Sequence, residues 1–280
     1  MIPTDPIDRS EESCFLSRYS LEDFDRPSVT ADIAVFSMRT QQGPLYRMNP
    51  EQKLCILLIR RGEHPFRGQW ALPGGFLRKD ETIEDCALRE LREETNLTPV
   101  SMIRADVYSQ PGRDPRGWIL SHSFASIISQ EDAKICGGSD AAEAQWFEVQ
   151  FTSEPDGSRK LTLSHPQATL TARLEQTRTG IGSCRYRIVE NQGLAFDHAA
   201  IIAGTLFALR TEAENLDLAF AFLPDKFTLS ALQKVQETLM GISYLSANFR
   251  RKVADRVVET DEFTTGAGHR PARLFRRNED

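Results

Sequence analysis

The chain has 280 residues, 40% hydrophobic and 26% charged side chains, and a formal net charge of −6. That balance suits a globular protein with room for two modest domains, and it excludes one that coats nucleic acid through a uniformly basic surface. Five scattered cysteines, Cys14, Cys55, Cys86, Cys136 and Cys184, include no CxxC pair, so neither a disulfide framework nor a thiol zinc site is expected. No stretch has signal-peptide or membrane-spanning character, which makes a cytoplasmic protein with reduced thiols and no membrane contact the expectation.

Residues 1–25 read as a polar, mobile leader carrying Asp5, Asp8, Glu11 and Glu12. Val29 to Met38 and Leu54 to Ile59 then predict strands, the second buried on both faces because its apolar run is unbroken. A turn-rich connection, Gln41 to Gln52, joins them. His64 to Phe76 is dense in glycine and proline and ends where an acidic helix begins. Further strands are expected near Ala105–Ser109, Ile119–Ile128 and Ala144–Val149. Short alternating stretches between Leu161 and Glu190, broken at Gly180-Ile181-Gly182, predict edge strands or a hairpin insertion within a β-rich extension over about 151–190.

Past Asn191 the character turns helical, which places a domain boundary there: 26–190 and 191–280. Asp197 can cap a helix from His198 to about Glu214. Thr228 or Ser230 can cap another through about Met240, stopped by Gly241, and Ser246 opens a third to about Val257. Gly266 to Pro271 is a turn between two short extended stretches.

The chemistry concentrates in Gly74 to Leu97. On a helix Glu90, Glu93 and Glu94 stand at i, i+3 and i+4, so their carboxylates leave one face about a turn apart and repel. A hard divalent cation such as Mg²⁺ turns that repulsion into a site, bridging carboxylates to substrate phosphates. Ile83, Ala87, Leu88 and Leu91 supply the apolar face, Arg89 can pair with Glu81 or a neighbouring acid, and Gly74-Gly75 let backbone and ligand approach closely. The competing interpretation is a solvated charged helix face.

Two further segments carry positive charge. The loop Gln110 to Trp118 bears Arg113, Asp114 and Arg116; arginine forks match phosphate oxygens, although composition alone allows a solvated turn equally. Near the C-terminus, helix, turn, basic helix and Gly-rich basic hairpin follow in the order of a winged helix-turn-helix. Asn248, Arg250, Arg251 and Lys252 lie on the helix that would enter a major groove, and His269, Arg270 and Arg273 in the wing. A helical cap with a solvated basic face is the alternative.

Gly75, five residues, Glu81, seven residues, then Arg89-Glu90-Leu91-Arg92-Glu93-Glu94-Thr95-Asn96-Leu97 resembles the Nudix box, with Asn96 where the family has glycine. Asparagine tolerates the left-handed conformation of a helix end. The resemblance implies an α/β/α sandwich around a mixed sheet and Mg²⁺ or Mn²⁺ as cofactor. It also implies Glu90, Glu93 and Glu94 as metal ligands, Glu81 and Arg89 as orienting residues, and a general base at Glu93 or Glu143. HPFRGQWALPGGF and QPGRDPRGW resemble elements of ADP-ribose-type Nudix domains, which puts Phe66, with Gly74, Gly75, Arg113, Asp114 and Arg116, at the ligand. With LAFDH at Leu194 to His198, FTLSALQ, NFRRK and GHRPARLF, the chain from about Arg26 onward resembles the Nudix-related transcriptional regulators. That family places a Nudix sensor ahead of a winged helix and commonly governs NAD metabolism. A homodimer on a DNA operator, responding to ADP-ribose or a related nucleotide sugar, is the expected arrangement; an ADP-ribose pyrophosphatase with a dimerising C-terminal module is the rival.

Overall fold

The computed structural model describes residues 9–41, 51–99, 101–129, 143–180, 183–264 and 271–279. In chain order the elements are α1 (Arg9–Arg18), β1 (Ser28–Gln41), β2 (Glu51–Arg60), β3 (Trp70–Ala71), β4 (Gly74–Phe76), α2 (Ile83–Thr95), β5 (Ser101–Tyr108), β6 (Ile119–Ile127), β7 (Ala144–Ser153), β8 (Arg159–His165), β9 (Ala168–Gly180), β10 (Ser183–Gln192), α3 (His198–Glu212), α4 (Leu216–Ala221), α5 (Leu229–Met240), α6 (Ser246–Val253), β11 (Val257–Phe263) and β12 (Arg273–Arg277).

A mixed sheet runs β10-β9-β8-β7-β2-β1-β6-β5, with β3 beside β2 and β4 beside β1. The pairing of β1 with β6 is parallel and the others are antiparallel. Successive strand residues face opposite sides, and β1 and β2 use both. Ala31, Ile33, Val35, Cys55 and Leu57 pack with Cys86, Ala87 and Leu91 of α2, whereas Ala34, Phe36, Met38, Ile56 and Leu58 pack with Ala199, Ile202 and Leu206 of α3. The result is the expected α/β/α sandwich. β1 pairs with β2 from Val35 onward but with β4 over Thr30–Asp32. That change of partner brings Gly74 and Gly75 against the start of β1.

The C-terminal elements form the expected winged helix. Thr228 accepts a hydrogen bond from the Ala231 amide (3.1 Å) at the start of α5, and Gly241 ends it at φ 67°. Phe249 and Val253 anchor α6, and β11 pairs with β12. The same apolar cluster that joins α3 to the sheet continues into Leu232, Val235, Leu239, Phe249 and Val253, so α3 touches both halves of the chain.

Several expectations are corrected. The leader is not wholly irregular, since Arg9–Arg18 is helical, with Phe15 and Leu16 exposed. For Leu161 to Glu190 the edge-strand alternative holds and the hairpin insertion does not: β8, β9 and β10 continue the main sheet through β7, because Leu161, Leu163, Leu170, Ala172 and Leu174 share its apolar face. The helix opens at Ser246 as expected but ends at Val253 rather than near Val257, and Val257 opens β11. Asp197 precedes α3 but makes no cap hydrogen bond, because Arg113 holds its carboxylate. Most of the expected Gln41–Gln52 connection, Cys136, Ile181 and Gly182 of the expected break, and His269 and Arg270 with most of the expected Gly266–Pro271 turn lie outside the described residues. Among the described residues, Cys14, Cys55, Cys86 and Cys184 are free thiols, and no helix is long and apolar enough to cross a membrane.

Candidate functional site

The box helix α2 begins in a reciprocal cap: Thr82 Oγ1 accepts from the Asp85 amide (3.1 Å), and the Asp85 carboxylate accepts from the Thr82 amide (3.2 Å). It ends at Asn96, which adopts the left-handed conformation (φ 60°) and donates its amide to the Arg92 carbonyl (2.9 Å). The departure from glycine is thus absorbed by the one other residue type that takes this conformation readily.

Arg89 organises the acids. Its guanidinium donates to both Glu81 oxygens (2.9 and 2.7 Å), to Glu90 (2.6 Å), to Glu93 (3.2 Å) and to the Phe76 carbonyl (3.2 Å). The Arg89 hydrogen bonds hold the Glu81 carboxyl down at about 2, and the Glu81 bonds in turn raise the Arg89 pKa. Glu93 is half exposed and also meets Arg78 at 3.5 Å. Glu94 is different. Burial pushes its carboxyl up to about 8; the Gly74 amide, donating to it at 2.9 Å, opposes the shift, and the charges of Glu90 and Asp32 add to it.

Gly74 is required here, and Gly75 leaves room for the Glu90 carboxylate. A Cβ on Gly74 (φ 155°) would strike the Ala31 carbonyl, and one on Gly75 would occupy the Glu90 carboxylate. The donor set suits a hard divalent cation, being oxygen-only with one buried carboxyl, Glu94, that makes no ion pair among the described residues, although the charge of Arg61 favours its ionised form. Among the described residues no three His, Cys, Asp or Glu side chains form a ready-made metal group. One or two carboxylates completed by water and ligand phosphate is the coordination that magnesium ordinarily accepts.

Beside the box, residues distant in sequence converge. The Phe66 and Phe196 rings meet edge to face at 4.7 Å, and both residues have left-handed backbones, φ 63° and 50°. For bulky side chains such conformations cost about 1–3 kcal/mol each and persist only where surrounding contacts enforce them. The guanidiniums of Arg61 and Arg116 lie 4.9 and 5.3 Å from the Phe196 ring centre, and Arg116 is also 5.0 Å from that of Phe76. Cation–π contacts of this kind stabilise by about 0.5–2 kcal/mol. Burial, and then the charge of Arg116, lower the Arg61 pKa against the opposing charges of Glu94, Asp114 and Asp32; Arg61 Nε donates to the Pro65 carbonyl at 2.7 Å, while Arg116 is held by Asp114.

Arg113 behaves otherwise than a free phosphate clamp. Its side chain is 5% exposed and forks onto both Asp197 oxygens (2.8 and 2.7 Å), with Asp32 at 3.6 Å. Burial alone would lower its pKa, but these carboxylates outweigh it and the pKa is raised. Asp32 accepts from the Ser121 hydroxyl at 2.5 Å. Next to Asp197, His198 accepts the Leu72 amide at Nδ1 (2.8 Å), so its proton sits on Nε2, which faces Asp32 at 3.7 Å. Burial, only partly offset by Asp32 and Asp197, pushes the His198 pKa down. Asp114 is buried and pairs with Arg116 at 2.7 Å. Glu143 meets Arg60 at 3.4 Å rather than any box acid.

Sequence reasoning missed Arg61, Phe76, Asp32 and Ser121, and valued Asp197 only as a cap. Phe196 and His198 carried one signal, the Leu194 to His198 motif.

On the winged helix, Asn248, Arg250, Arg251 and Lys252 are exposed along α6; Arg251 donates to Asn248 at 2.5 Å and Lys252 to the Tyr244 hydroxyl at 3.3 Å. Arg273 is exposed on β12 and paired with Glu259.

These features define a two-part protein, an α/β/α sandwich with a carboxylate-rich helix and an arginine-lined corner, joined through α3 to a winged helix with a basic exposed face. The chain belongs to the Nudix family: residues 43–163 match the family model described as NUDIX domain, and residues 219–277 match that of the NrtR DNA-binding winged helix domain. It is similar to the "ADPR responsive transcriptional repressor NtrR" of Acinetobacter baylyi, 28% identical over 273 residues, 96% of this chain and 90% of that protein. Among solved structures it resembles a MutT/nudix family protein from Enterococcus faecalis (TM-score 0.68, 26% identity, 96% of this chain and 98% of that one). It also resembles Shewanella oneidensis NrtR complexed with a 27mer DNA (TM-score 0.61, 27% identity, 89% and 93%).

Proposed function

We propose that this chain is a transcriptional repressor that binds an operator through α6 and the wing and answers to ADP-ribose, or a related nucleoside diphosphate sugar, bound at the box. The observation that carries the reading is the union, in one chain, of a diphosphate-type site with an outward-facing basic helix on a winged fold. A relative over nearly the full length is an ADPR-responsive repressor by name, and a full-length structural neighbour is a complex with DNA.

Asn248, Arg250, Arg251 and Lys252 would meet bases and phosphates, with His269, Arg270 and Arg273 on flanking phosphates. Nudix hydrolases generally use divalent metal ions; Mg²⁺ or Mn²⁺ is the ion we assign, with Glu90, Glu93 and Glu94 as its holders. Bound there, the ion would neutralise diphosphate charge and activate water. Gly74 and Gly75 admit the ligand, Arg116 and Phe66 border it, and Arg113 and Asp114 shape its loop. We assign a homodimer, since one short basic helix reads few bases, a cytoplasmic setting and control of NAD-related genes. The domain division falls near Asn191, with α3 as the connecting helix.

The test is selection of duplex DNA from a random library by the purified protein, then titration with ADP-ribose. Enrichment of one sequence, released by ligand, is expected; no enrichment with or without ligand rejects the regulator. The second reading, hydrolysis of ADP-ribose to AMP and ribose 5-phosphate, is favoured by the intact box acids. Glu93 or Glu143 would serve as base and Arg89 as the positioning residue. It predicts Mg²⁺-dependent turnover lost in Glu93→Gln, and no turnover across a nucleotide-sugar panel rejects it.

A further inference from the structure

Three consecutive residues, Phe196, Asp197 and His198, each grip a different part of the candidate site and together form the root of α3. Phe196 touches Arg61, Arg116 and Phe66; Asp197 holds Arg113; His198 receives the Leu72 amide and faces Asp32. At the other end of the same helix, the Ala213 carbonyl accepts from the buried Gln236 amide of α5 at 2.6 Å, while the Gln236 side-chain oxygen is buried without a hydrogen-bond partner.

From this geometry we infer that the Phe196–His198 segment is the reader of site occupancy, and that α3 carries its position to the winged helix through Gln236. The inference rests on the reading of the box as a nucleoside diphosphate site. Arg61 lies against the Phe196 ring with no ion pair among the described residues, whereas Arg116 on the same ring is held by Asp114, and a guanidinium bonds a phosphate more strongly than it does a ring face. A diphosphate arriving at the box therefore draws the Arg61 guanidinium away from Phe196. The left-handed backbone at Phe196 loses one of the contacts that enforce it and relaxes toward an ordinary conformation. Asp197 and His198 are covalently next, so the relaxation moves the start of α3. Its far end bears on a joint where a buried acceptor lacks a partner, the kind of contact that has a second arrangement open to it. A ligand shifts such an element only if it binds one arrangement better, and that difference is what Arg61 provides.

The experiment measures the operator affinity of the full-length protein by fluorescence anisotropy, without ligand and with ADP-ribose at concentrations that saturate each variant. Wild type is expected to lose at least about tenfold in affinity, a typical coupling. Phe196→Leu and, at the far end, Gln236→Leu are each expected to bind operator without ligand within about threefold of wild type and to lose less than about threefold on adding ligand. Hydrogen exchange of wild type without DNA gives a second measure that needs no variant: ADP-ribose should alter exchange in the peptide spanning 196–204. If wild type responds to ligand while both variants keep its full ratio, or while exchange across 196–204 stays unchanged, the coupling route is wrong and the ligand reading stands. If wild type neither binds ADP-ribose nor leaves its operator, the ligand reading fails and takes this inference with it.

Discussion

Arg89 and Arg113 both sit among carboxylates, yet they hold together different kinds of structure. Arg89 is 16% exposed and its partners Glu81, Glu90, Glu93 and Phe76 all lie within 13 residues of it. It closes a local array: a helix, its entry loop and little more. Arg113 is 5% exposed and reaches Asp197 across 84 residues, in a network where Leu72 reaches His198 across 126 and Ser121 reaches Asp32 across 89. This second cluster ties four distant segments at the root of α3. The difference teaches that the box can be assembled by α2 and its flanks, while communication beyond it depends on groups that only the complete fold brings together.

The comparison can be broken most forcefully at Arg113. Arg113→Ala leaves the Asp197 carboxylate without its buried cation, and such a loss costs about 3–5 kcal/mol; urea unfolding should show it, and a loss below 1 kcal/mol would mean the network is dispensable. His198→Gln probes the same cluster through pH. Because burial lowers the folded-state pKa of His198, the unfolded chain takes up a proton that the native state refuses. Wild-type stability should therefore fall as pH drops below the ordinary histidine value of about 6.5, by at most about 1.4 kcal/mol per pH unit for one proton. His198→Gln should flatten that slope between pH 7 and 5, and identical slopes would place the titrating group elsewhere.

On the local side, Thr82→Ala removes the side-chain acceptor of the α2 cap. A cost of about 1 kcal/mol is expected, read as a lower melting temperature without change in the ligand-induced response of DNA binding. A changed response would show that the box and the distant cluster are not separable. Asn96→Gly is the smallest change, restoring the family residue at a left-handed position; stability should rise by a few tenths of a kcal/mol, about the strain that asparagine bears there.

Much of this division follows from how sequence encodes contacts. The box acids, the apolar stripe of α2 and the helix-ending role of Asn96 were legible because helical spacing converts sequence separation directly into geometry. The same held for the winged helix, where Thr228 and Gly241 bracket α5 and Phe249 and Val253 mark the inner face of α6. The two loop arginines differ in their surroundings. Arg116 does sit beside an aromatic corner, but Arg113 faces inward because Asp197 waits there, and nothing within the loop announces a carboxylate 84 residues on. Arg61 carried no signal, being one of two adjacent arginines after a strand. The strands β8 to β10 alternate as expected, but whether they form their own hairpin or lengthen the main sheet depends on whether β7 offers them an edge.

By itself, the order of residues determined the carboxylate helix, the two-part plan and the basic face of α6, because each depends on separations of a few residues in a regular element. Only the tertiary structure decided that β1 exchanges β2 for β4 beside Gly74, that two arginines meet over Phe196, and that the start of α3 is anchored in the site. Those outcomes follow from burial, which forces each charge and polar group to find a partner wherever the packed chain happens to place one.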